Sequence, residues 1–189
     1  STPSEKNHSI KIDIPMMYRV LVSAFLFLGN AMSFVQQTTQ EGREILYLQD
    51  QRSLGNGKLV RFLSSTDSKL RARAAIALAN LQDTSSTKDL TPLLKDSGVA
   101  VRASAAFALG QIGSRASCGP LLETLKIERD AVAARRILEA LGRCGDQNCL
   151  DSMISFISRD PQLREEQALT VARFALRNIK SERALWFCF

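Results

Sequence analysis

The sequence predicts an all-α protein, a right-handed α-solenoid of about four helix pairs with an N-terminal capping helix. The first observation is internal similarity: residues 70–81 reappear as residues 101–112, with six of twelve positions identical. The second is a helical spacing of the apolar residues in each copy. The third is composition, because five prolines and ten glycines in 189 residues leave most of the chain free to be helical. Repeated helix pairs form solenoids, since stacking buries faces that one pair alone leaves exposed.

Residues 1–33 are assigned to processing rather than to the fold. Arg19 precedes a short apolar run, and the small residues Ala31 and Ser33 follow it. A basic residue, a short apolar stretch and small residues at the cleavage positions are typical of a secretory signal peptide. We therefore predict an upstream segment followed by a signal peptide over Met16–Ser33, and hence a periplasmic or secreted protein. An uncleaved membrane anchor and a helix docked on the repeats are the alternatives.

Residues 34–56 are predicted to form a linker and the capping helix. An amphipathic pattern over residues 40–52 indicates a single helix that covers the open first end of the solenoid. Residues 57–179 follow as the repeats, each with a short helix A, a tight turn and a longer helix B. Residues 180–189 are predicted to be a C-terminal tail. Three of its last four residues are aromatic, so the tail either packs back on the last B helix or leads into further chain.

Helix B is predicted from five apolar positions with offsets 0, 4, 7, 8 and 11, which lie on one face of an α-helix. All twenty positions in the four copies are apolar. They are Leu70, Ala74, Ala77, Leu78 and Leu81; Val101, Ala105, Ala108, Leu109 and Ile112; Ala133, Ile137, Ala140, Leu141 and Cys144; and Ala168, Ala172, Ala175, Leu176 and Ile179.

Helix A is predicted from a shorter pattern, with apolar offsets 0, 3 and 4 that only Thr124 breaks. Its positions are Leu59, Phe62 and Leu63; Leu90, Leu93 and Leu94; Leu121, Thr124 and Leu125; and Leu150, Met153 and Ile154. Pro161, which follows Asp160, is expected in the first turn of a helix, where its missing N–H costs nothing. Gly113 and Gly145 follow two B helices and are expected to be left-handed cap residues.

One stretch resembles a known family of repeats. Residues 101–113 read VRASAAFALGQIG, and Asp96 lies in the turn before them. They resemble helix B of bacterial HEAT-like repeats, the group also called phycobilisome lyase-type HEAT repeats. The resemblance covers residues 57–145 well and residues 146–179 loosely. It implies an α-solenoid that binds proteins, and it leaves two alternatives: an accessory or lyase-like protein acting on a bilin or protein substrate, and the N-terminal region of a longer peptidyl-prolyl isomerase.

The chemistry available in the sequence points away from catalysis. The only histidine is His8, which lies upstream of the predicted signal peptide. Its loss would exclude Ser-His-Asp and Cys-His nucleophiles and any histidine-ligated metal. The sequence also contains no phosphate-cradling glycine loop and no paired Cys-x-x-Cys spacing. We therefore predict no catalytic residue, no metal site and no cofactor, and a protein that is not an enzyme.

Four cysteines are present: Cys118, Cys144, Cys149 and Cys188. Cys144 fills a core position of helix B, where a free cysteine behaves as a small apolar residue. A disulfide between Cys144 and Cys149 would close the turn between them in an oxidising compartment, and this is the favoured pairing. A bond between Cys118 and Cys149 is the second possibility, and a four-cysteine zinc site is disfavoured.

Two sets of arginines have different predicted roles. Arg71 and Arg102 occupy equivalent positions at the start of two B helices, and Asp67 and Asp96 lie in the turns before them. They are predicted to form a structural ladder that ties each turn to its own or the next repeat. A second set lies off the core positions and is the candidate for partner binding: Arg73, Arg136, Arg143, Arg173 and Arg177.

The expected partner is a protein or peptide. The net charge of +6 and the sequence pI near 9.4 permit binding to acidic molecules. Export makes nucleic acid an unfavourable partner, and a membrane would be met only through an uncleaved N-terminal segment. The sequence thus predicts a monomeric, non-catalytic scaffold for protein–protein interaction, exported from a bacterium, with the inner surface of the stacked B helices as its binding site.

Overall fold

The computed structural model describes residues 40–155, residue 158 and residues 160–185, and these residues form helices and turns without a strand. The predicted upstream segment and signal peptide lie outside them. The described residues from 41 onward belong to one compact unit. The described helices are α1 (40–50), α2 (Lys58–Phe62), α3 (Ser68–Leu81), α4 (Thr87–Leu90), α5 (Val99–Ile112), α6 (Cys118–Ile127), α7 (Ala131–Cys144), α8 (Gln147–Ile154), α9 (Pro161–Leu176) and α10 (Glu182–Leu185).

The helices of residues 41–189 form pairs that stack in chain order. The B helices are α3, α5, α7 and α9, and each packs against the next. The A helices are α2, α4, α6 and α8, with short 3₁₀ turns before α4 and α6 and after α4. Helix α8 packs on α6, and α10 packs on α8. The prediction of an all-α solenoid built from helix pairs is confirmed.

The predicted core positions of the A helices and of the first three B helices are confirmed. Eleven of the twelve side chains predicted for the A helices are buried, and Phe62 packs against the core while partly exposed. Leu63 follows α2 directly, and Leu93 and Leu94 lie in the 3₁₀ turn after α4. In α3, α5 and α7 all fifteen are buried or, for Leu81 and Ile112, half-buried against the core. Capping helix α1 buries Ile45 and Leu48, as an amphipathic end helix requires.

The predicted core face of the fourth B helix is wrong at three of its five positions, whereas Ala168 is half-buried and Ile179 packs against the core while partly exposed. Ala172, Ala175 and Leu176 of α9 are exposed, and the side that faces the core is instead formed by Gln167, Thr170, Val171 and Phe174. Counted from the N-cap residues Asp67, Gly98, Asp130 and Asp160, these four occupy the core positions of the earlier B helices. The predicted core positions of this helix therefore lie five residues too far along the chain.

The buried face of α9 contains two polar residues, so an apolar pattern in the sequence does not reveal it. Gln167 and Thr170 are buried, at 1% and 0% exposure. The Gln167 side-chain oxygen accepts from the Ser158 N–H at 2.9 Å. The Thr170 hydroxyl donates to the backbone carbonyls of Glu166 at 2.8 Å and of Leu138 on α7 at 3.2 Å. Because each polar atom has a partner, both side chains can fill core positions at little cost.

Gly113 and Gly145 end two B helices in different ways. Gly113 is the predicted left-handed cap, with φ 71°. Gly145 has an extended backbone, so its prediction as a left-handed cap is wrong. Its lack of a side chain matters instead for space: a Cβ atom there would lie 2.6 Å from the Leu141 carbonyl oxygen and 2.7 Å from a ring carbon of Phe174.

A recurring turn connects helix A to helix B. We call the residue two positions before each N-cap the turn acceptor, because its side chain accepts a hydrogen bond from the N-cap N–H, over 2.8 to 3.2 Å. The four turn acceptors are Ser65, Asp96, Glu128 and Ser158. Asp96 and Glu128, the two turn acceptors that are carboxylates, therefore lie where successive repeats meet.

Candidate interaction surface

The first step of the ladder joins Arg71 of α3 to Asp96 in the next turn. The Arg71 Nε and Nη2 atoms each donate to a different Asp96 carboxylate oxygen at 2.8 Å. Its Nη1 atom donates to the backbone carbonyls of Ser65 and Thr66 at 2.8 and 3.1 Å. One guanidinium therefore connects its own turn to the turn of the following repeat.

The second step repeats this geometry one repeat later. Arg102 of α5 donates to both carboxylate oxygens of Glu128 at 2.7 and 2.9 Å, and to the backbone carbonyls of Asp96 and Ser97. The Glu128 side chain is only 4% exposed. The predicted ladder thus exists, but Glu128 is an acidic member that the sequence pattern missed.

Asp67 does not have the predicted role. It is the N-cap of α3, and its side chain accepts from the Lys69 N–H at 2.8 Å. Its structural equivalent is Gly98, so the predicted equivalence of Asp67 with Asp96 is wrong. No third step forms among the described residues, because α7 has Ala134 at the arginine position and the next turn acceptor is Ser158.

Breaking the second step is expected to destabilise the fold. Arg102→Met keeps the aliphatic stem but leaves the buried Glu128 carboxylate without its main donor, which should cost about 2–3 kcal/mol. The measurement is urea unfolding followed by circular dichroism. The matched control is Glu123→Gln, which removes an exposed ion pair with Lys126 on α6. Equal stability losses in the two variants would contradict this assignment.

The ladder carboxylates make stability depend on pH. The hydrogen bonds from Arg71 lower the pKa of Asp96, and those from Arg102 lower the pKa of Glu128. A group whose pKa falls on folding stabilises the protein above its unfolded value and loses that contribution as pH drops through the folded value. Unfolding free energy should therefore fall below about pH 4.5, the ordinary glutamate value. Glu128→Gln should flatten this decline, and an unchanged pH profile would contradict the prediction.

The favoured disulfide pairing is wrong. The structure joins Cys118 of α6 to Cys149 of α8, with their Cα atoms 6.2 Å apart, and Cys144 is a free, buried thiol. Burial raises the pKa of the Cys144 thiol to about 11, so it stays protonated near neutral pH. The separation of Cys118 and Cys149 is 31 residues, equal to the distance between the two similar segments. A separation of one repeat length places the two cysteines on neighbouring A helices, and it therefore indicates a bond between these helices.

The exposed side of the B helices forms a continuous candidate surface, which we call the B face. It comprises the positions 2, 5, 6, 9 and 13 residues after each N-cap of α3, α5, α7 and α9. At position 9 three of the four helices carry an apolar side chain: Ile76, Phe107 and Leu169. Ile76 and Leu169 are 41% and 48% exposed, and Phe107 is half-buried. This row crosses the stack instead of following one helix, and it is interrupted at α7, which has Glu139 at this position.

Basic side chains surround the row. Over α3, α5 and α7 the B face carries five basic residues and one carboxylate: Lys69, Arg73, Arg135, Arg136, Arg143 and Glu139. Burial acts to raise the pKa of Glu139, but hydrogen bonds from Arg136 and Arg143 outweigh it and hold that pKa below its ordinary value. One carboxylate therefore serves two arginines, and this part of the surface stays positively charged.

Arg136 and Arg143 are held in place by α5 as well as by Glu139. The Arg136 guanidinium lies 5.6 Å from the centroid of the Phe107 ring. Arg143 donates to the side-chain oxygen of Gln111 at 3.1 Å and to Glu139 at 3.0 Å. Both arginines remain more than 40% exposed, so they can still meet a partner.

The other three predicted binding arginines have different surroundings. Arg173 donates to Glu166 at 2.7 Å and is one-third exposed. Arg177 donates to the carbonyls of Gly142 and Gly145, at 3.2 and 2.8 Å, where α7 ends. It thus satisfies the end of a neighbouring helix. Arg73 is exposed on α3. The structure does not gather the five into one cluster, and their role in binding stays a prediction.

A surface pocket of about 320 Å³ lies between α7 and α9. It is lined by Arg135, Gln162, Glu165, Glu166 and Leu169. The sequence pattern did not single out its two glutamates as a site. They bring two carboxylates to the α9 end of the B face, and Glu166 already accepts a hydrogen bond from Arg173 at 2.7 Å.

Within the described part of the chain, no group of three His, Cys, Asp or Glu side chains is arranged to hold a metal ion. None of the helices searched has both the length and the apolar character needed to cross a membrane.

Comparison with known proteins supports the repeat assignment. No curated protein matches the chain. A family model described as HEAT repeats matches residues 58–142, which extend from α2 almost to the end of α7. HEAT repeats commonly mediate protein interactions. The match, and the stacked helix pairs that the matched residues form, identify residues 58–142 as HEAT-like repeats.

Proposed function

We propose that this protein is a non-catalytic scaffold that binds an extended segment of a partner protein on the B face. The observation that carries the proposal is the row of Ile76, Phe107 and Leu169, three exposed or half-buried apolar side chains on three of the four B helices. A partner segment that crosses the stacked helices could bury one apolar side chain beside each of them.

The charges of the B face favour a partner segment whose acidic and basic residues come in a defined order. Over α3, α5 and α7 the surface is basic, so acidic residues of the partner would be attracted there. At the α7–α9 pocket, Glu165 favours a basic side chain of the partner, since Glu166 already pairs with Arg173. A segment with an acidic part followed by a basic residue would match both ends.

A binding measurement on defined peptides tests this proposal. Fluorescent peptides with spaced apolar residues and flanking aspartates are titrated with the protein. Phe107→Ala combined with Arg136→Gln should weaken binding at least about tenfold, because it removes an apolar contact and a charge. The control is Ile127→Ser on α6, outside the B face, which should leave the affinity unchanged. Equal weakening by both variants, or no binding by any peptide, would count against the proposal.

We also propose that the protein is bacterial and acts in the periplasm or outside the cell. The signal-like pattern over Met16–Ser33 and the resemblance to bacterial repeats support this assignment. The disulfide between Cys118 and Cys149 supports it independently, since disulfides persist in oxidising compartments. N-terminal sequencing of the protein from its native cells should give Phe34 as the first residue. A first residue well upstream of Phe34 would contradict cleavage.

A further inference from the structure

Helix α9 has a second apolar face that points away from α7. Ala172, Ala175 and Leu176 lie on this outer face and are exposed, with Leu176 at 88%. The opposite face of the same helix packs on the core through Val171 and Phe174. A helix at the end of a solenoid normally presents a polar outer face. The outer face of α9 is thus chemically suited to being covered.

In the earlier B helices the position of Ala172 receives the next helix. Twelve residues after their N-caps, α5 has Gly110 and α7 has Gly142. A Cβ atom on Gly110 would lie 2.8 Å from the Ala140 Cα of α7, and one on Gly142 would lie 3.1 Å from the Arg173 Cβ of α9. The equivalent residue of α9 is Ala172. The outer face of α9 therefore continues an interface that already joins α5 to α7 and α7 to α9.

Arg164 provides an independent sign of a missing neighbour. It lies four residues after its N-cap, as do Arg71 and Arg102, and each of those reaches a carboxylate in the next repeat. Helix α7 has Ala134 at the position of this arginine, and the turn acceptor of the following repeat is Ser158 instead of a carboxylate. Arg164 is exposed, and no carboxylate of the described residues pairs with it. Its presence predicts a carboxylate in the turn of a following repeat.

Helix α10 shows where that repeat would begin. It packs on α8, as α8 packs on α6, and it buries Ala184. It thus takes the place of a fifth helix A. A second copy of the chain could not cover α9 by stacking end to end, because its own α3 is already covered by α1. A Cβ atom on Gly42 of α1 would lie 2.7 Å from the Arg73 guanidinium of α3.

We propose that the outer face of α9 binds the B helix of a fifth HEAT-like pair, which follows α10 in the same polypeptide. We further infer that the turn before this helix carries an aspartate or glutamate that accepts hydrogen bonds from Arg164. The proposal does not depend on what the B face binds.

Thiol labelling at Leu176 tests it. Leu176→Cys is introduced with Cys188→Ser, both in the 189-residue chain and in a chain lengthened by the residues encoded directly after Phe189. Maleimide labelling of the introduced thiol should be at least about tenfold slower in the lengthened chain, because the fifth pair covers it. Arg164→Gln should raise that rate in the lengthened chain only. The control is Ile127→Cys, 68% exposed on α6, which should react equally in both chains.

Three results would overturn the proposal. One is equal labelling at Leu176→Cys in the two chains, and another is a coding sequence that stops at Phe189. The third is slow labelling already in the 189-residue chain. If that protection disappears on dilution, a second copy covers the face; if it persists, the chain's own last residues do.

Discussion

Replacing Gly110 with leucine is expected to destabilise the protein by about 4 kcal/mol or to prevent folding, the largest effect of any single substitution considered. A Cβ atom at this position would lie 2.8 Å from the Cα and 2.9 Å from the Cβ of Ala140. Because the nearest atom belongs to the backbone of α7, no side-chain movement can relieve the contact. Helices α5 and α7 would have to separate, which would open the interface at the centre of the stack.

Alanine variants provide a graded control for this prediction. Gly110→Ala should cost about 2 kcal/mol, although alanine is the better helix former by about 1 kcal/mol. Gly142→Ala should cost less, since its nearest atoms belong to the Arg173 side chain at 3.1 Å. Gly119→Ala on α6 meets nothing within 4 Å and should be neutral or slightly stabilising. Chemical unfolding of the three variants measures the order, and a Gly110→Ala protein as stable as Gly119→Ala would contradict the packing.

Reducing the disulfide is expected to destabilise the protein by about 3–4 kcal/mol. Cys118 and Cys149 close a loop with a sequence separation of 31 residues. The chain-entropy relation gives about this value for a loop of that length, because the unfolded chain regains conformational freedom. Urea unfolding with and without dithiothreitol measures the change.

A double variant separates loss of the disulfide from other effects of the reductant. Cys118→Ala with Cys149→Ala should be less stable than the oxidised protein, and dithiothreitol should not change it further. Cys144→Ala should retain the full response to dithiothreitol, since Cys144 is not part of the bond. An oxidised protein whose stability does not respond to the reductant would contradict the pairing of Cys118 with Cys149.

The regular parts of the fold could be predicted from the sequence because local periodicity determines them. The apolar offsets placed the A helices and the first three B helices, and they also found the cap at Gly113. The fourth B helix was misread because α9 has two apolar stripes. The buried stripe contains Gln167 and Thr170, whose hydrogen-bond partners lie in other parts of the chain. No local pattern reveals such partners.

The ladder and the disulfide show that local sequence patterns also fail to predict some pairs of interacting residues. Arg71 and Arg102 were recognisable as equivalent, but aligning the turns on their aspartates confused the N-cap Asp67 with the turn acceptor Asp96. Glu128 was missed because it fills the acidic position with a longer side chain. The disulfide was predicted between two cysteines that are close in sequence, whereas the stacking of repeats brings together residues one repeat apart. Repeat length is therefore a better guide to contacts in this fold than short sequence separation.

Successive helix pairs stack in a fixed register, and a double-mutant cycle on Arg102 and Glu128 is the sharpest test of that stacking. These residues are 26 positions apart and belong to different repeats, so they can interact only if the repeats stack as described. The unfolding free energies of Arg102→Met, Glu128→Gln and the double variant are compared with that of the unchanged protein. If the repeats stack in this register, the coupling energy is expected to be about 1–2 kcal/mol. Losses that add within about 0.3 kcal/mol would contradict it.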